Sequence, residues 1–265
     1  MNLSDYALLI NSFKHVFYYD KDHTYYINGK RIKYSVSTVI KEFEPKFDSD
    51  GIATKFAKKH KLDKNKVLED WDYKRDYASL KGNCLHKFIE RYLDRAFVPL
   101  DKDKIEYFFR NEPSKKDVFY QEIADTVVHI KEFGDLWKTN YVSVKSEFVI
   151  GDEEYGVSGT IDNLSYNFIN ESLVIFDYKT NKNVTRVNKF FKRFKLPLEH
   201  LDHTLFNKYS LQLNAYKYIL EKNTPFKIKR MILIWFNLDG YEEMEIPDMQ
   251  NEVKIMFDYS KRFLQ

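Results

Sequence analysis

The sequence predicts an α/β fold in which a mixed central sheet is flanked by helices. Two long segments carry apolar residues at the period of an α-helix, and three segments with the period of a β-strand follow them in quick succession. A further helix and a very apolar strand come next, which gives the core order α-β-β-β-α-β. This order is typical of a sheet with helices packed on both faces.

The N-terminal part is predicted to begin with a β-hairpin and to continue with helices. Residues 16–28 are aromatic and β-prone, Asn28-Gly29 is a strong hairpin signal, and the segment RIKYSVSTVI resumes the strand pattern. From about Ser49 to Ala96 the pattern becomes helical. We therefore expect an N-terminal β-hairpin and helical elaboration over residues 1–77.

The core is expected over residues 78–265, in one compact unit with the N-terminal part. The strand 230–238 is apolar nearly throughout, which predicts burial on both of its faces. The strands that precede it are separated by glycines and short polar stretches, as in an antiparallel meander. In chain order, the core elements are a helix at 117–139, strands at 141–150, 156–166 and 172–180, a helix at 205–222, strands at 230–238 and 241–246, and a helix at 250–263.

Composition excludes several classes of protein. Hydrophobic residues make up 43% and charged residues 31% of the chain, which indicates a globular and not a disordered protein. The sequence shows neither the long apolar run of a membrane span nor the features of a signal peptide. Cys84 is the only cysteine, so an internal disulfide, a zinc ribbon and a cysteine-bound iron–sulfur cluster are excluded. The expected location is a reducing compartment such as the cytoplasm.

The main candidate site consists of Asp162, Asp177 and Lys179. Strand alternation places Asp177 and Lys179 on one face, at the end of a buried strand, with Tyr178 on the other. Charged groups there are costly to bury alone, and a divalent cation such as Mg²⁺ is a natural partner for two carboxylates. The alternative is that these are solvated polar residues at a strand end and in a turn.

Other polar residues favour the site over this alternative. Glu147 lies in the preceding strand, and Gln212 and Tyr216 share one face of the following helix. His86 and Glu90 likewise share a face of the earlier helix. A histidine on a helix is most often structural, but one paired with a glutamate four residues on is also a candidate metal ligand.

In this order the residues resemble the RecB-like branch of the PD-(D/E)XK nuclease superfamily, across about residues 78–240. The stretch YSVSTVIKEFEP is also similar to a segment of phage-type and mitochondrial genome maintenance exonucleases. The matching residues are Gly82, His86, Glu90, Glu147, Gly159-Thr160-Ile161-Asp162, Asp177-Tyr178-Lys179-Thr180, Gln212 and Tyr216. The resemblance implies a restriction-endonuclease-like core and a nuclease activity that depends on Mg²⁺ or Mn²⁺.

The resemblance also implies a role for each residue. Lys179 would serve the attacking water, and Glu147 would be an accessory acidic residue. Gln212 and Tyr216 would brace the site or touch the substrate backbone. The metal ligands would be His86, Asp162, Asp177 and the carbonyl of Tyr178. The four-cysteine iron–sulfur clasp of some RecB-like nucleases is excluded here.

A basic segment directly after Lys179 is predicted to bind DNA, because its cations can attract phosphates and its aromatic residues can stack on unpaired bases. Its basic residues are Lys182, Arg186, Lys189, Lys192 and Arg193, with Phe190, Phe191 and Phe194 between them. The alternative is a solvated surface loop.

Two other functions compete with a nuclease. The resemblance favours an exonuclease acting on single-stranded DNA ends, and by analogy a role in viral genome processing. A non-catalytic DNA-binding or assembly protein that retains the fold is the first alternative. A hydrolase of small phosphorylated substrates is the second, and for it the sequence offers no Walker-type or GxGxxG phosphate loop.

Overall fold

A mixed six-stranded sheet lies between two layers of helices in the computed structural model, which describes residues 1–97, 99–188 and 191–263. The helices of these residues are α1 (Leu3–Ser12), α2 (Val36–Glu42), α3 (Ser49–His60), α4 (Lys64–Asp94), α5 (Lys102–Phe108), α6 (Ser114–Trp137), α7 (Leu205–Asn223) and α8 (Gln250–Phe263). The strands are β1 (Val16–Tyr19), β2 (Thr24–Ile27), β3 (Lys30–Ile32), β4 (Tyr34–Ser35), β5 (Tyr141–Asp152), β6 (Val157–Asn167), β7 (Ser172–Lys179), β8 (Ile228–Asn237) and β9 (Gly240–Glu245).

The sheet combines antiparallel and parallel strand pairs. β5, β6 and β7 form the predicted antiparallel meander. β8 then joins β7 in parallel after the α7 crossover, and β9 returns antiparallel to β8. The short strand β4 pairs in parallel with the start of β6. The predicted α/β class, with a mixed sheet flanked by helices, is therefore confirmed.

Alternation along β7 divides its side chains between two cores. Leu173 and Ile175 face the core formed with α2, α7 and α8. Val174, Phe176 and Tyr178 face the second core, formed with α4 and α6. β8 alternates in the same way, so the predicted burial on both of its faces is confirmed. Because side chains alternate, Asp177 continues the row of Ile175 toward α7.

The N-terminal hairpin is confirmed and extended to three strands, β1-β2-β3. Asn28 and Gly29 join β2 to β3 with φ of 51° and 74°, the left-handed conformations that a tight hairpin turn requires. The prediction that the strand pattern continues through SVSTVI is wrong. Ser35 caps α2 there by accepting a hydrogen bond from the Thr38 backbone N–H, and the β-branched residues after it become the buried face of a helix.

The N-terminal part shares its core with the rest of the chain. Leu9, Val16 and Val36 belong to the same apolar cluster as residues of α7 and α8. The expected boundary between residues 77 and 78 falls inside α4, a continuous helix of 31 residues. Within the described ranges, no helix is long and apolar enough to cross a membrane.

Candidate metal centre

The site forms where β6 and β7 part. Their pairing ends at Asn163 and Phe176, so Asp162 and Asp177 are the first residues beyond the last paired position. The backbone N–H of Tyr178 donates a 2.8 Å hydrogen bond to Asp162 Oδ2. The Asp162 side chain thus takes the place of the backbone acceptor that β6 would supply if the pairing continued. This hydrogen bond fixes the Asp162 carboxylate at the strand end.

The α4 helix brings His86 to the same point. His86 Nε2 lies 2.9 Å from the carbonyl oxygen of Tyr178, which can only accept, so Nε2 carries the proton. Nδ1 lies 3.6 Å from Asp162 Oδ2. Burial lowers the pKa of His86, with the Asp162 carboxylate opposing this effect. The neutral imidazole therefore presents the Nδ1 lone pair on the side of Asp162, as a metal ligand would.

Glu147 completes a group of three possible ligands. In the β5–β6 ladder Ser146 pairs with Asn163 and Phe148 with Ile161, which sets Glu147 opposite Asp162. One ligand atom each from His86, Glu147 and Asp162 lies within 4.8 Å of the others. One imidazole nitrogen and two carboxylates form a donor set that suits Mn²⁺ and, with added water, Mg²⁺.

Two features mark Glu147 as unusual. Its φ is 46°, a left-handed conformation that is rare for a residue with a side chain inside a strand and that is often found at functional sites. The residue is exposed at the surface, yet partial desolvation of its carboxylate and the nearby Asp162 carboxylate raise its pKa to about 8. The sequence assigns Glu147 an accessory role, whereas the structure places it in the candidate ligand group.

Asp177 and Lys179 form an ion pair beside this group. The Asp177 carboxylate is 1% exposed and contacts Lys179 Nζ, which also lies 4.0 Å from Asp162 Oδ2. Burial raises the pKa of Asp177, and the Lys179 ammonium opposes that rise. Burial alone would lower the pKa of Lys179, but the two carboxylates raise it above its ordinary value. The predicted common face of this pair is confirmed, although Asp177 lies outside the group of three.

The predicted ligand oxygens of Asp177 and Tyr178 have different surroundings. Asp177 Oδ1 is buried, and no donor from the described residues reaches it. The Tyr178 carbonyl is in contact with His86, so in this structure it orients the imidazole. Metal binding by Asp177 and by this carbonyl stays a prediction.

Gln212 and Tyr216 lie together on α7, as predicted. Gln212 Nε2 donates a 2.8 Å hydrogen bond to Tyr216 Oη. The buried Tyr216 ring packs on Gly159 of β6, where an added Cβ would come 2.5 Å from Cε1 of the ring. Gly159 thus permits close approach of α7 to the strand that carries Asp162, which agrees with a bracing role for Tyr216.

The basic segment after β7 exposes most of its cations. Lys182, Arg186, Lys192 and Arg193 are all exposed, whereas Lys189 and Phe190 lie outside the described residues. The Arg186 guanidinium lies 4.2 Å from the Phe206 ring centre, and Arg193 Nε lies 3.8 Å from Asp202 Oδ1. Two of the predicted phosphate-binding cations therefore already have partners within the protein.

The aromatic residues of this segment do not share one environment. Phe194 is buried in the core formed with α7, whereas Phe191 is 90% exposed. Only Phe191, of the two that the structure describes, is available to stack on a base.

Several residues near the site are not identified by the sequence reasoning. Lys179 Nζ lies 4.9 Å from the centre of the Tyr209 ring, whose hydroxyl donates a 2.7 Å hydrogen bond to Asn181 Oδ1. Tyr209 precedes Gln212 and Tyr216 on one helical face, and this spacing is a signal that could have found it. Tyr25 Oη lies 3.0 Å from Thr160 Oγ1, two residues before Asp162. The N-terminal sequence contains no indication of that tertiary contact.

Comparisons with known proteins add no identification. No protein-family model matches the chain, and no curated protein sequence matches it. The solved structures that match include the crystal structure of SSO0001, which is 18% identical over 67% of this chain and 84% of that chain, with a TM-score of 0.29. Similarity at this level assigns neither a family nor a function.

Proposed function

We propose that this protein is a divalent-metal-dependent deoxyribonuclease of the RecB-like PD-(D/E)XK type, with a restriction-endonuclease-like core. The observation that carries the proposal is the position of His86, Glu147 and Asp162, whose ligand atoms lie within 4.8 Å of one another. The buried Asp177–Lys179 pair adjoins this group at the end of β7. An N/O donor set beside a fixed cation is an arrangement that can support metal-dependent hydrolysis.

The residues fit Mg²⁺ or Mn²⁺. His86 Nδ1 and the carboxylates of Glu147 and Asp162 would hold the ion, and the unpartnered Oδ1 of Asp177 offers a further oxygen nearby. Desolvation and the Asp162 carboxylate raise the pKa of Glu147, and a bound cation would favour its ionised form. When bound, the ion would act as a Lewis acid on the phosphodiester.

Lys179 acts as a cation in this proposal. Asp177 and Asp162 raise its pKa, although burial acts in the opposite direction, so the ammonium stays charged and is a poor proton acceptor. A charged Nζ can donate hydrogen bonds to an attacking water and to a phosphate oxygen that gains negative charge. Asp177 holds the ammonium in place through their direct contact.

DNA is the proposed substrate, and single-stranded ends are the preferred form. The segment that leaves the site after Lys179 exposes Lys182, Arg186 and Lys192, which supply sequence-independent attraction for phosphates. The preference for single-stranded ends and for exonuclease action comes from the resemblance in sequence.

The direct test is incubation of the purified protein with end-labelled single- and double-stranded DNA in Mg²⁺, Mn²⁺ or EDTA. We expect metal-dependent degradation by the wild type and none by Asp162→Asn or Lys179→Ala, each checked for folding by circular dichroism. Closed circular single-stranded DNA should resist an exonuclease. Binding of DNA without cleavage under every metal condition would favour the non-catalytic alternative.

A further inference from the structure

The hairpin formed by β1 and β2 presents two tyrosine rings on its inner face. Tyr18 pairs with Tyr25 across the hairpin, and their ring centres are 4.7 Å apart with planes inclined by 40°. Val16 and Ile27 lie on the same inner face and are buried in the main core. The inner face is therefore apolar core at one end and a half-buried tyrosine pair at the other.

Several contacts fix this hairpin against β5 and β6. At Gly151 of β5 an added Cβ would lie 2.9 Å from Ile27 Cδ1 and 3.1 Å from Val16 Cγ1, so the glycine allows the hairpin to pack closely. Asn28 Nδ2 donates a 3.0 Å hydrogen bond to Glu153 Oε2. These contacts fix the C-terminal end of β2 against β5, and with it the strand that carries Tyr25.

The tyrosine pair borders the candidate metal centre. Tyr25 Oη lies 3.0 Å from Thr160 Oγ1, and Thr160 and Asp162 alternate onto the same face of β6. Burial raises the pKa of Tyr25, and the carboxylates of Glu147 and Asp162 add to the rise. Burial and, among other groups, the Glu147 carboxylate likewise raise the pKa of Tyr18. Both rings therefore lie within electrostatic reach of the candidate ligands.

A ligand would contact the faces and edges of these two rings, because both hydroxyl groups already have partners within the protein. Tyr25 Oη is engaged with Thr160, and Tyr18 Oη lies 2.6 Å from Nδ1 of His23. Aromatic faces beside a site that acts on a phosphodiester suit the flat bases attached to that backbone. Bases in a duplex are stacked on both sides, so such a surface selects unpaired bases.

We propose that Tyr18 and Tyr25 form a stacking platform for an unpaired nucleobase next to the phosphodiester that is cleaved. This assignment rests on the proposed nuclease function and defines its substrate as a strand that is single-stranded at the site. The hairpin thereby contributes a binding surface in addition to the basic segment, from which it is separated in sequence by more than 150 residues.

The test measures binding separately from cleavage. Fluorescence anisotropy with Ca²⁺ in place of Mg²⁺ is recorded for a labelled single-stranded oligonucleotide of about ten nucleotides and for the same oligonucleotide with abasic sites. We expect Tyr18→Ala to weaken binding of the normal oligonucleotide at least about fivefold, since stacking contributes about 1–3 kcal/mol per base. The abasic oligonucleotide should bind weakly and equally to both proteins.

Tyr19→Ala is the matched control. Tyr19 is the next residue of the same strand, is 58% exposed, and points to the outer face of the hairpin. We expect the Tyr19→Ala variant to bind the normal oligonucleotide as tightly as the wild type does. The Tyr18→Phe variant keeps the ring and should also bind as tightly as the wild type. If Tyr18→Ala is misfolded by its thermal melt, Tyr18→Leu replaces it, because leucine keeps an apolar side chain at this position but cannot stack on a base as an aromatic ring does.

Equal wild-type affinity for the normal and abasic oligonucleotides, or equal losses in Tyr18→Ala and Tyr19→Ala, would overturn the platform. No measurable binding of either oligonucleotide by the wild type would overturn it too. A base-dependent loss in Tyr18→Ala, in a protein that cleaves no DNA with any metal, would support the platform while rejecting the nuclease.

Discussion

The carboxylate of Asp162 accepts a 2.8 Å hydrogen bond from the backbone N–H of Tyr178 at the point where β6 and β7 separate. The same oxygen lies 3.6 Å from His86 Nδ1 and 4.0 Å from Lys179 Nζ. Asp162 therefore has a structural role, as the acceptor for a strand end, and a proposed chemical role, as a metal ligand. Suitable substitutions separate these two roles.

Asp162→Asn should keep the fold and weaken metal binding. An asparagine retains an oxygen that can accept the Tyr178 N–H but removes the charge, so we expect Mn²⁺ affinity to fall at least about tenfold. Asp162→Ala should be less stable than Asp162→Asn by about 1–3 kcal/mol, because the N–H loses its acceptor. Calorimetric titration with Mn²⁺ and urea unfolding measure the two effects. Equal stability of the two variants would contradict the structural role.

Lys179→Met should be destabilising, because it leaves the buried Asp177 carboxylate without its cation. We expect a cost of about 3–5 kcal/mol near neutral pH. Burial raises the pKa of Asp177 to about 7, so its carboxyl group takes up a proton below that pH, and the cost of losing the cation should shrink as pH falls below about 7. The double variant Asp177→Asn, Lys179→Met should recover most of the loss in urea unfolding. A double variant no more stable than Lys179→Met would contradict the buried ion pair.

Affinity for Mn²⁺ should rise with pH because of Glu147. Desolvation and Asp162 raise its pKa to about 8, so below this value the ion must displace a proton to bind the carboxylate. The apparent affinity should fall by up to about tenfold per pH unit as pH decreases below that value. Burial lowers the pKa of His86, so its imidazole is already neutral over this range. Titrations of the Glu147→Gln variant with Mn²⁺ should show a weaker affinity that depends less on pH. If the pH dependence of the affinity were unchanged, Glu147 would be excluded as the source of the displaced proton.

Local sequence patterns predict much of the fold and the Asp177–Lys179 pair. The period-two alternation of β7 acts within one strand, so it determines which side chains share a face without any tertiary information. The Asn28-Gly29 turn is similarly local, since it depends on two residues that tolerate positive φ. The start of α2 illustrates a limit, because the Ser35 cap outweighs the strand preference of the residues that follow.

The composition of the ligand group depends on tertiary structure. Glu147 reaches Asp162 through the β5–β6 register and a φ of 46°, and neither can be read from the residues of β5 alone. Asp177 matches a sequence motif, yet it contacts Lys179 and lies outside the group of three. The approach of Tyr25 to Thr160 depends on how the hairpin packs on the sheet, which no pattern within the hairpin specifies.

Two glycines of the matching sequence pattern should respond in opposite ways to alanine. At Gly159 the new Cβ would lie 2.5 Å from the buried Tyr216 ring, so we expect a loss of about 1–3 kcal/mol and a displaced ring. At Gly82, inside α4, the Cβ would meet Thr180 Oγ1 at 3.4 Å, and better helix propensity should stabilise the protein by up to about 1 kcal/mol. Urea unfolding of the Gly159→Ala and Gly82→Ala variants measures the two expected changes in stability. A Gly159→Ala protein as stable as the wild type would contradict close packing of α7 on β6.

The exposed cations after β7 should differ in their contribution to DNA binding. Lys182→Ala and Lys192→Ala should each weaken binding of single-stranded DNA and lower the slope of log affinity against log salt by about 0.7, the value for one lost phosphate contact. Arg193→Ala should have a smaller effect, because its guanidinium lies 3.8 Å from Asp202 and part of its charge is already balanced. Anisotropy titrations at several salt concentrations measure the slopes, with circular dichroism as the folding control. Unchanged slopes in both lysine variants would indicate that this segment is a solvated surface loop and that DNA binds elsewhere on the protein.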